Sequence, residues 1–291
     1  MTYYFEEKLM GGTVGFTLYN ITEDAAKLIK YDLLNEAKRL EKIFNFYDPK
    51  SELSILNKNR TKQVSKELLE VIKKAINYAE LTSGNYDISL GNAILSRKNM
   101  IKDKKIAIQK TKINNNSNCS YKNIQITSNI ITFNSKDVLI DLGSIAKGYI
   151  ADKLANYLKQ NGIKSAMIDA RGDIIIFGKT KEQVEIQHPR NTDKLIENFT
   201  LENEAVATSG DYNQNDGTYE NSHILNAQDL ISVTVIAKTL TDADALASVI
   251  FVTDPKNRDQ LISTILTTNK SNIRILIIDK NLNINKYNWI S

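Results

Sequence analysis

A single cysteine, Cys119, stands in a chain of 291 residues. One thiol excludes an intrachain disulfide framework and a cysteine-rich metal site. It lies in the polar run "INNNSNCSYKN" (113–123), the setting of an ordinary surface thiol. Charge of one sign is not in excess either: 38 basic residues face 34 acidic ones, and no basic block is longer than "KDKK" at 102–105. That balance speaks against a nucleic-acid partner. No apolar run approaches the length of a membrane span. The start "MTYYFEEKLMGG" lacks a basic segment followed by an apolar one, so the expected compartment is the cytoplasm, or the periplasm if the sequence is a trimmed mature form. There is no internal repeat. What the chain does have is 42% hydrophobic and 25% charged residues, enough apolar matter for a sizeable core in one large domain or two ordinary ones.

Periodicity divides the chain into helices and strands. "TVGFTLYN" (13–20) alternates Val14, Phe16 and Leu18, which predicts a half-buried strand. Ile29, Leu33, Ala37, Leu40 and Phe44 recur at helical spacing behind Thr22, Glu23 and Asp24, predicting a helix near 23–45. "SKELLEVIKKAINYAELTSG" (65–84) predicts a second helix with stripe Leu68, Ile72, Ala75, Ile76, Ala79 and a stop at Gly84. Residues 102–123 resemble a polar insertion, and 124–133 a hairpin turning at Ser128-Asn129. Then come a strand at 138–141, a helix to about 160, two strands around Arg171-Gly172 within 165–178, and strands at 183–187, 231–237 and 273–279. Helices are expected at about 241–252 and 258–267. The mixture predicts an α+β fold with mainly antiparallel sheets and packed helices.

Several stretches could carry chemistry. "VLIDLGSIAKGYIADKLANYLKQNG" (138–162) puts Gly143, Ser144, Ala146, Lys147 and Gly148 where a strand hands over to a helix. Small residues there serve close packing on a sheet, or approach of backbone N–H groups to an anion. In "TDADALASVIFV" (241–252), Asp244 and Ser248 are four apart, so both oxygens share a helix face. A carboxylate and a hydroxyl hold a hard cation weakly, and Mg²⁺ accepts such a site when phosphate oxygens add ligands; acids in a first turn also simply complement the helix dipole. Thr208, Ser209 and Gly210 can donate N–H and O–H groups to a ligand, or form an ordinary loop. His223 is one of two histidines. The polar elbows "FYDPKSELSILNKN" (46–59) and "GNYDISLGN" (84–92) each follow a helix and could line one cleft.

Taken in order, "MGGT" (10–13), "DPKSELSILN" (48–57), "GNYDISLG" (84–91), "IDLGSIAKGYIAD" (140–152), "DARGDIIIFG" (169–178), "VATSGDY" (206–212), "HIL" (223–225) and "DADALAS" (242–248) resemble the FAD:protein FMN transferase family, the ApbE-type flavin transferases. The resemblance covers nearly the whole chain. It implies an ApbE-like, T-fold-related architecture over 1–291, as one domain or as two lobes with the FAD site between them. It implies Mg²⁺ as cofactor, FAD as substrate and an acceptor flavoprotein as partner, whose Thr or Ser hydroxyl receives FMN as AMP leaves. By the same resemblance the metal falls to Asp244, Ser248 and the backbone carbonyl near Ala146. The flavin nucleotide falls to Asn57, Asp87, Thr208, Ser209, Gly210 and Asp211, with Lys147 offering positive charge beside the diphosphate. His223 becomes the general base toward the acceptor hydroxyl, a task suited to neutral imidazole near pH 7.

The chain departs from the family pattern in places. Ser248 stands where Thr is more usual, Arg171 where a second glycine is common, and Asn92 where Pro is usual. After His223 the family continues with Ile-Asp-Pro and Thr-Gly, whereas this chain reads "HILNAQDLIS". Two alternatives to transfer stay open: FAD hydrolysis to FMN and AMP, which uses the same metal site and needs no acceptor groove, and FAD binding without turnover, which the altered loop motivates.

Overall fold

The computed structural model describes residues 1–102, 119–210, 229–268 and 273–289. The chain begins with the hairpin β1 (Tyr3–Leu9) and β2 (Gly12–Leu18), followed by α1 (Glu23–Phe44), α2 (Glu52–Asn59), β3 (Thr61–Gln63), α3 (Lys66–Leu81) and α4 (Gly91–Lys102). A second part contains β4 (Ile124–Thr127), β5 (Ile130–Phe133), α5 (Ala146–Gln160), β6 (Ala166–Ala170), β7 (Asp173–Phe177), β8 (Lys181–His188), β9 (Asn191–Glu202) and β10 (Ala205–Gly210). The last part is β11 (Leu230–Ala237), α6 (Leu240–Val252), α7 (Pro255–Thr268), β12 (Arg274–Asp279) and β13 (Ile284–Tyr287).

Eight strands form one sheet in the order β1-β2-β6-β7-β10-β11-β12-β13, and every neighbouring pair in it is antiparallel. The α+β expectation therefore holds. One face of the sheet packs on the helices: Phe16, Ile168, Ile175, Ala207, Val233, Val235 and Ile277 join Leu33 and Leu40 of α1, Leu154 of α5 and Leu246 of α6 in a contiguous core. The opposite face is covered by the β8–β9 hairpin. There Val184 and Leu201 meet Ile176, Val206 and Ile236, and Ile186 meets Ile231, Leu276 and Ile278.

Burial on both faces explains "LISVTVIA": all eight β11 positions are buried, the polar Ser232 and Thr234 among them, so the strand has no charged, solvent-facing row. A register shift between Leu230 and Ser232 changes which face the odd positions take, as a bulge must. Ile231 accordingly meets the hairpin, while Val233 and Val235 enter the helix-side core.

The helices follow their stripes. In α1, Leu33, Ala37, Leu40 and Phe44 are buried; in α3, Leu68, Ile72, Ala75 and Ala79. The turns also follow their residue types: Arg171 and Gly172 both take positive φ between β6 and β7, and Ser128 does so between β4 and β5.

The structure corrects the expected strand at 138–141. That segment is extended but pairs through only an isolated bridge, Leu90 to Leu139. Its backbone is tied instead to the 88–91 elbow, Leu139 N–H to the Ser89 carbonyl at 3.1 Å and Asp141 N–H to the Ile88 carbonyl at 2.9 Å. Strands β1, β3, β9, β10 and β13 and helices α2 and α4 go beyond the sequence expectation. β13 is exposed along most of its length, and an edge strand of this kind carries little alternation for a pattern to reveal. In the polar insertion, residues 103–118 lie outside the described residues. No helix among the described residues is long and apolar enough to cross a membrane.

Candidate active site

Helices α5 and α6 cross near their N-termini, and each completes the other's first turn. Helix α5 opens at Ala146 without a side-chain cap of its own, because its N-cap position is Ile145. The missing acceptor comes from α6: Asp244 Oδ2 accepts from the Gly148 N–H at 2.9 Å. In return Asp152 of α5 accepts from the Leu240 and Thr241 N–H groups of α6 at 2.9 and 2.8 Å, and the Thr241 hydroxyl also donates to it. Carboxylates suit both places, since the first N–H groups of a helix lack partners and its dipole favours negative charge there. The approach is close. A Cβ on Gly148 would run into the Leu240 carbonyl oxygen, so glycine is required at this crossing. Both roles considered for the small residues of 143–148 are thus realised: Gly148 lets two backbones meet, and its N–H binds an anion that belongs to the protein itself.

Helix α6 is apolar nearly all round, with Ala243, Ala245, Leu246, Ala247, Val249, Ile250 and Phe251 buried, so it is embedded between sheet and helices. Asp244 is carried into that setting and is only 5% exposed. A carboxylate so placed needs compensation. Besides Gly148, it has the Lys147 ammonium at 3.1 Å from Oδ1. The same ammonium pairs with Asp173 at the head of β7, and Asp173 Oδ1 accepts from the Thr208 N–H at 3.1 Å. One lysine thereby joins two buried aspartates from different elements. Asp173 lies within the matched stretch "DARGDIIIFG", yet no local spacing marks it; only the tertiary fold brings it to Lys147.

The "TSG" segment forms the end of β10 rather than a loop. Thr208 Oγ1 meets Thr234 Oγ1 of β11 at 2.9 Å. Ser209 Oγ meets Ser248 Oγ of α6 at 2.9 Å, which ties this strand to the turn of α6 after Asp244. Gly210 ends the strand opposite Ser232. Asp211 and His223 lie outside the described residues.

The two elbows have structural partners. Ser51 caps α2, accepting from the Ser54 N–H at 3.0 Å. Asn57, at the far end of that helix, donates to the Ile140 carbonyl at 2.9 Å and accepts from the Ile140 N–H at 2.8 Å. Asp87 accepts from the Ser89 N–H at 2.8 Å and the Tyr121 N–H at 2.9 Å. Next to it, Tyr86 is buried and its hydroxyl meets Ser144 Oγ at 2.9 Å; burial raises its phenol well above the ordinary value, so it remains a neutral hydrogen-bonding group. Asp141 Oδ1 accepts from the Gly143 N–H at 2.7 Å. Both elbows therefore hold the 138–145 segment that delivers Ala146, Lys147 and Gly148 to the crossing.

The groups that the sequence points to for a cation, the Asp244 carboxylate, the Ser248 hydroxyl and the backbone carbonyl at Ala146, are all hard oxygen. They fit Mg²⁺ rather than a soft metal. Among the described residues no group of three or more His, Cys, Asp or Glu side chains could hold a metal ion.

The family model described as the ApbE family matches residues 10–270. A relative from Vibrio cholerae serotype O1, named FAD:protein FMN transferase, is 27% identical over 274 residues, which is 84% of this chain and 80% of the relative. One of the same name from Buchnera aphidicola subsp. Baizongia pistaciae is 29% identical over 259 residues, 79% of this chain and 71% of the relative. Among solved structures, the ApbE protein of Thermotoga maritima superposes with a TM-score of 0.79 at 25% identity, covering 98% of this chain and 97% of that one. The flavin transferase ApbE of Vibrio cholerae gives 0.78 at 22% identity, covering 99% and 96%, a likeness of fold.

Proposed function

The chain belongs to the ApbE family, and from that premise we propose that it transfers the FMN moiety of FAD to a Thr or Ser hydroxyl of an acceptor flavoprotein, releasing AMP. The observation that carries this reading is the α5–α6 crossing, where the buried Asp244 accepts from the Gly148 N–H in the first turn of α5 and pairs with Lys147. Its relatives are named for this reaction.

Asp244, Ser248 and the Ala146 carbonyl are the groups that would hold Mg²⁺, which when bound supplies charge neutralisation for the phosphates and for the departing AMP. Lys147 adds a positive charge beside Asp244. The segment Thr208–Gly210 and the following Asp211 orient the flavin nucleotide, and Asn57 and Asp87 keep the elbows around it in place. In the transfer step the acceptor oxygen bonds to the FMN phosphorus, the bond from that phosphorus to the bridging oxygen breaks, and AMP leaves. The hydroxyl proton passes to His223.

The test is incubation of the purified protein with FAD and Mg²⁺, with and without a flavoprotein acceptor. AMP release together with an FMN mass increment on the acceptor is the expected result. AMP and free FMN without any acceptor would replace transfer by hydrolysis. Bound FAD with no AMP under either condition would leave a binding protein and sink the transferase reading.

A further inference from the structure

We propose that Lys147 is a resident cation that occupies Asp244 until a diphosphate draws it away, and that Asp173 is the positioning residue that keeps it there; this rests on the reading of Asp244 as a metal ligand. The side chains of Asp173 and Asp244 are 8% and 7% exposed and share one ammonium. Two buried carboxylates so close together repel unless a cation lies between them. Lys147 meets that need from within the chain.

The geometry defines what has to move. Asp244 Oδ2 is committed to the Gly148 N–H, so Oδ1, the oxygen on Lys147, is the one open to exchange of partners. Asp173 is committed through Oδ1 to the Thr208 N–H and cannot follow the ammonium without breaking that bond. Lys147 itself has a flexible four-carbon stem and a point charge that any anion can attract, and its side chain is 21% exposed. A divalent cation approaching Oδ1 of the empty protein competes with Nζ. A diphosphate offers Nζ a new partner and frees Oδ1. Cation and nucleotide binding are then coupled through Lys147, and by linkage each strengthens the other.

The test uses Mn²⁺ alone as the probe, titrated into the full-length, nucleotide-free protein and followed by the EPR signal of free Mn²⁺. Lys147→Met is expected to bind Mn²⁺ about tenfold more tightly than wild type. ADP is expected to raise the Mn²⁺ affinity of wild type more than that of the variant. Asp173→Asn should weaken Mn²⁺ binding, because the ammonium then belongs to Asp244 alone, and this effect should shrink in the Lys147→Met background. If Lys147→Met does not fold, Lys147→Gln serves in its place. A folded variant with Mn²⁺ affinity equal to or below that of wild type overturns the proposal and leaves the metal-site reading standing. No Mn²⁺ binding to any form, with or without ADP, overturns both.

Discussion

Asp152 and Asp244 sit on the two sides of one helix crossing, and each accepts from the first turn of the opposite helix. Their remaining surroundings differ. Asp152 receives two backbone N–H groups and a hydroxyl, all from α6, and no lysine or arginine pairs with it among the described residues. Burial pushes its carboxyl above the ordinary aspartate value, while the Thr241 hydroxyl and the backbone donors pull the other way. Asp244 has one N–H and one ammonium, and a lysine can leave where a backbone cannot. Two aspartates with one geometry in common thus divide the work: the first is a strut saturated by fixed donors, the second a site whose partner can be exchanged.

The largest effect expected is on chemistry. Asp244→Asn keeps an acceptor for the Gly148 N–H but removes the charge, and AMP release should fall about a hundredfold or more. The thermal midpoint should change little. Activity within a few-fold of wild type would abolish the distinction between the two aspartates. Asp152→Ala should do the reverse, leaving two N–H groups and a hydroxyl of α6 unsatisfied at a cost of about 3 kcal/mol. Urea unfolding measures that loss, and turnover of the protein still folded should stay within about tenfold of wild type.

The pH dependence of the same residue gives a smaller, signed effect. A carboxyl whose folded value is raised contributes stability that is present at low pH and is lost as pH rises through that value. The stability of wild type relative to Asp152→Asn should therefore increase on going from about pH 7 to about pH 4. A difference that stays flat or moves in the variant's favour would show that the fixed donors outweigh burial.

A sequence specifies most where one residue type has one physical use. Helices with a single apolar stripe, the Arg171-Gly172 and Ser128-Asn129 turns, and the strand with no polar face were all legible, since 3.6-residue and two-residue periodicities and positive-φ preferences are local. Asp244 and Ser248 were legible as a pair because four residues make one helical turn, and the order of the eight stretches pointed to the family.

What the tertiary structure alone decided is which groups those residues touch. Segment 138–141 has the composition of a strand, but its hydrogen bonds go to an elbow and to Asn57. Gly148 is required by a carbonyl 92 residues away, at Leu240, and Asp173 gains its role from a lysine on α5 and a backbone N–H on β10. Local propensity sees only neighbours along the chain. Charge compensation in a buried site is settled by whatever the fold brings within hydrogen-bond reach, and here that was two helix N-termini and one lysine.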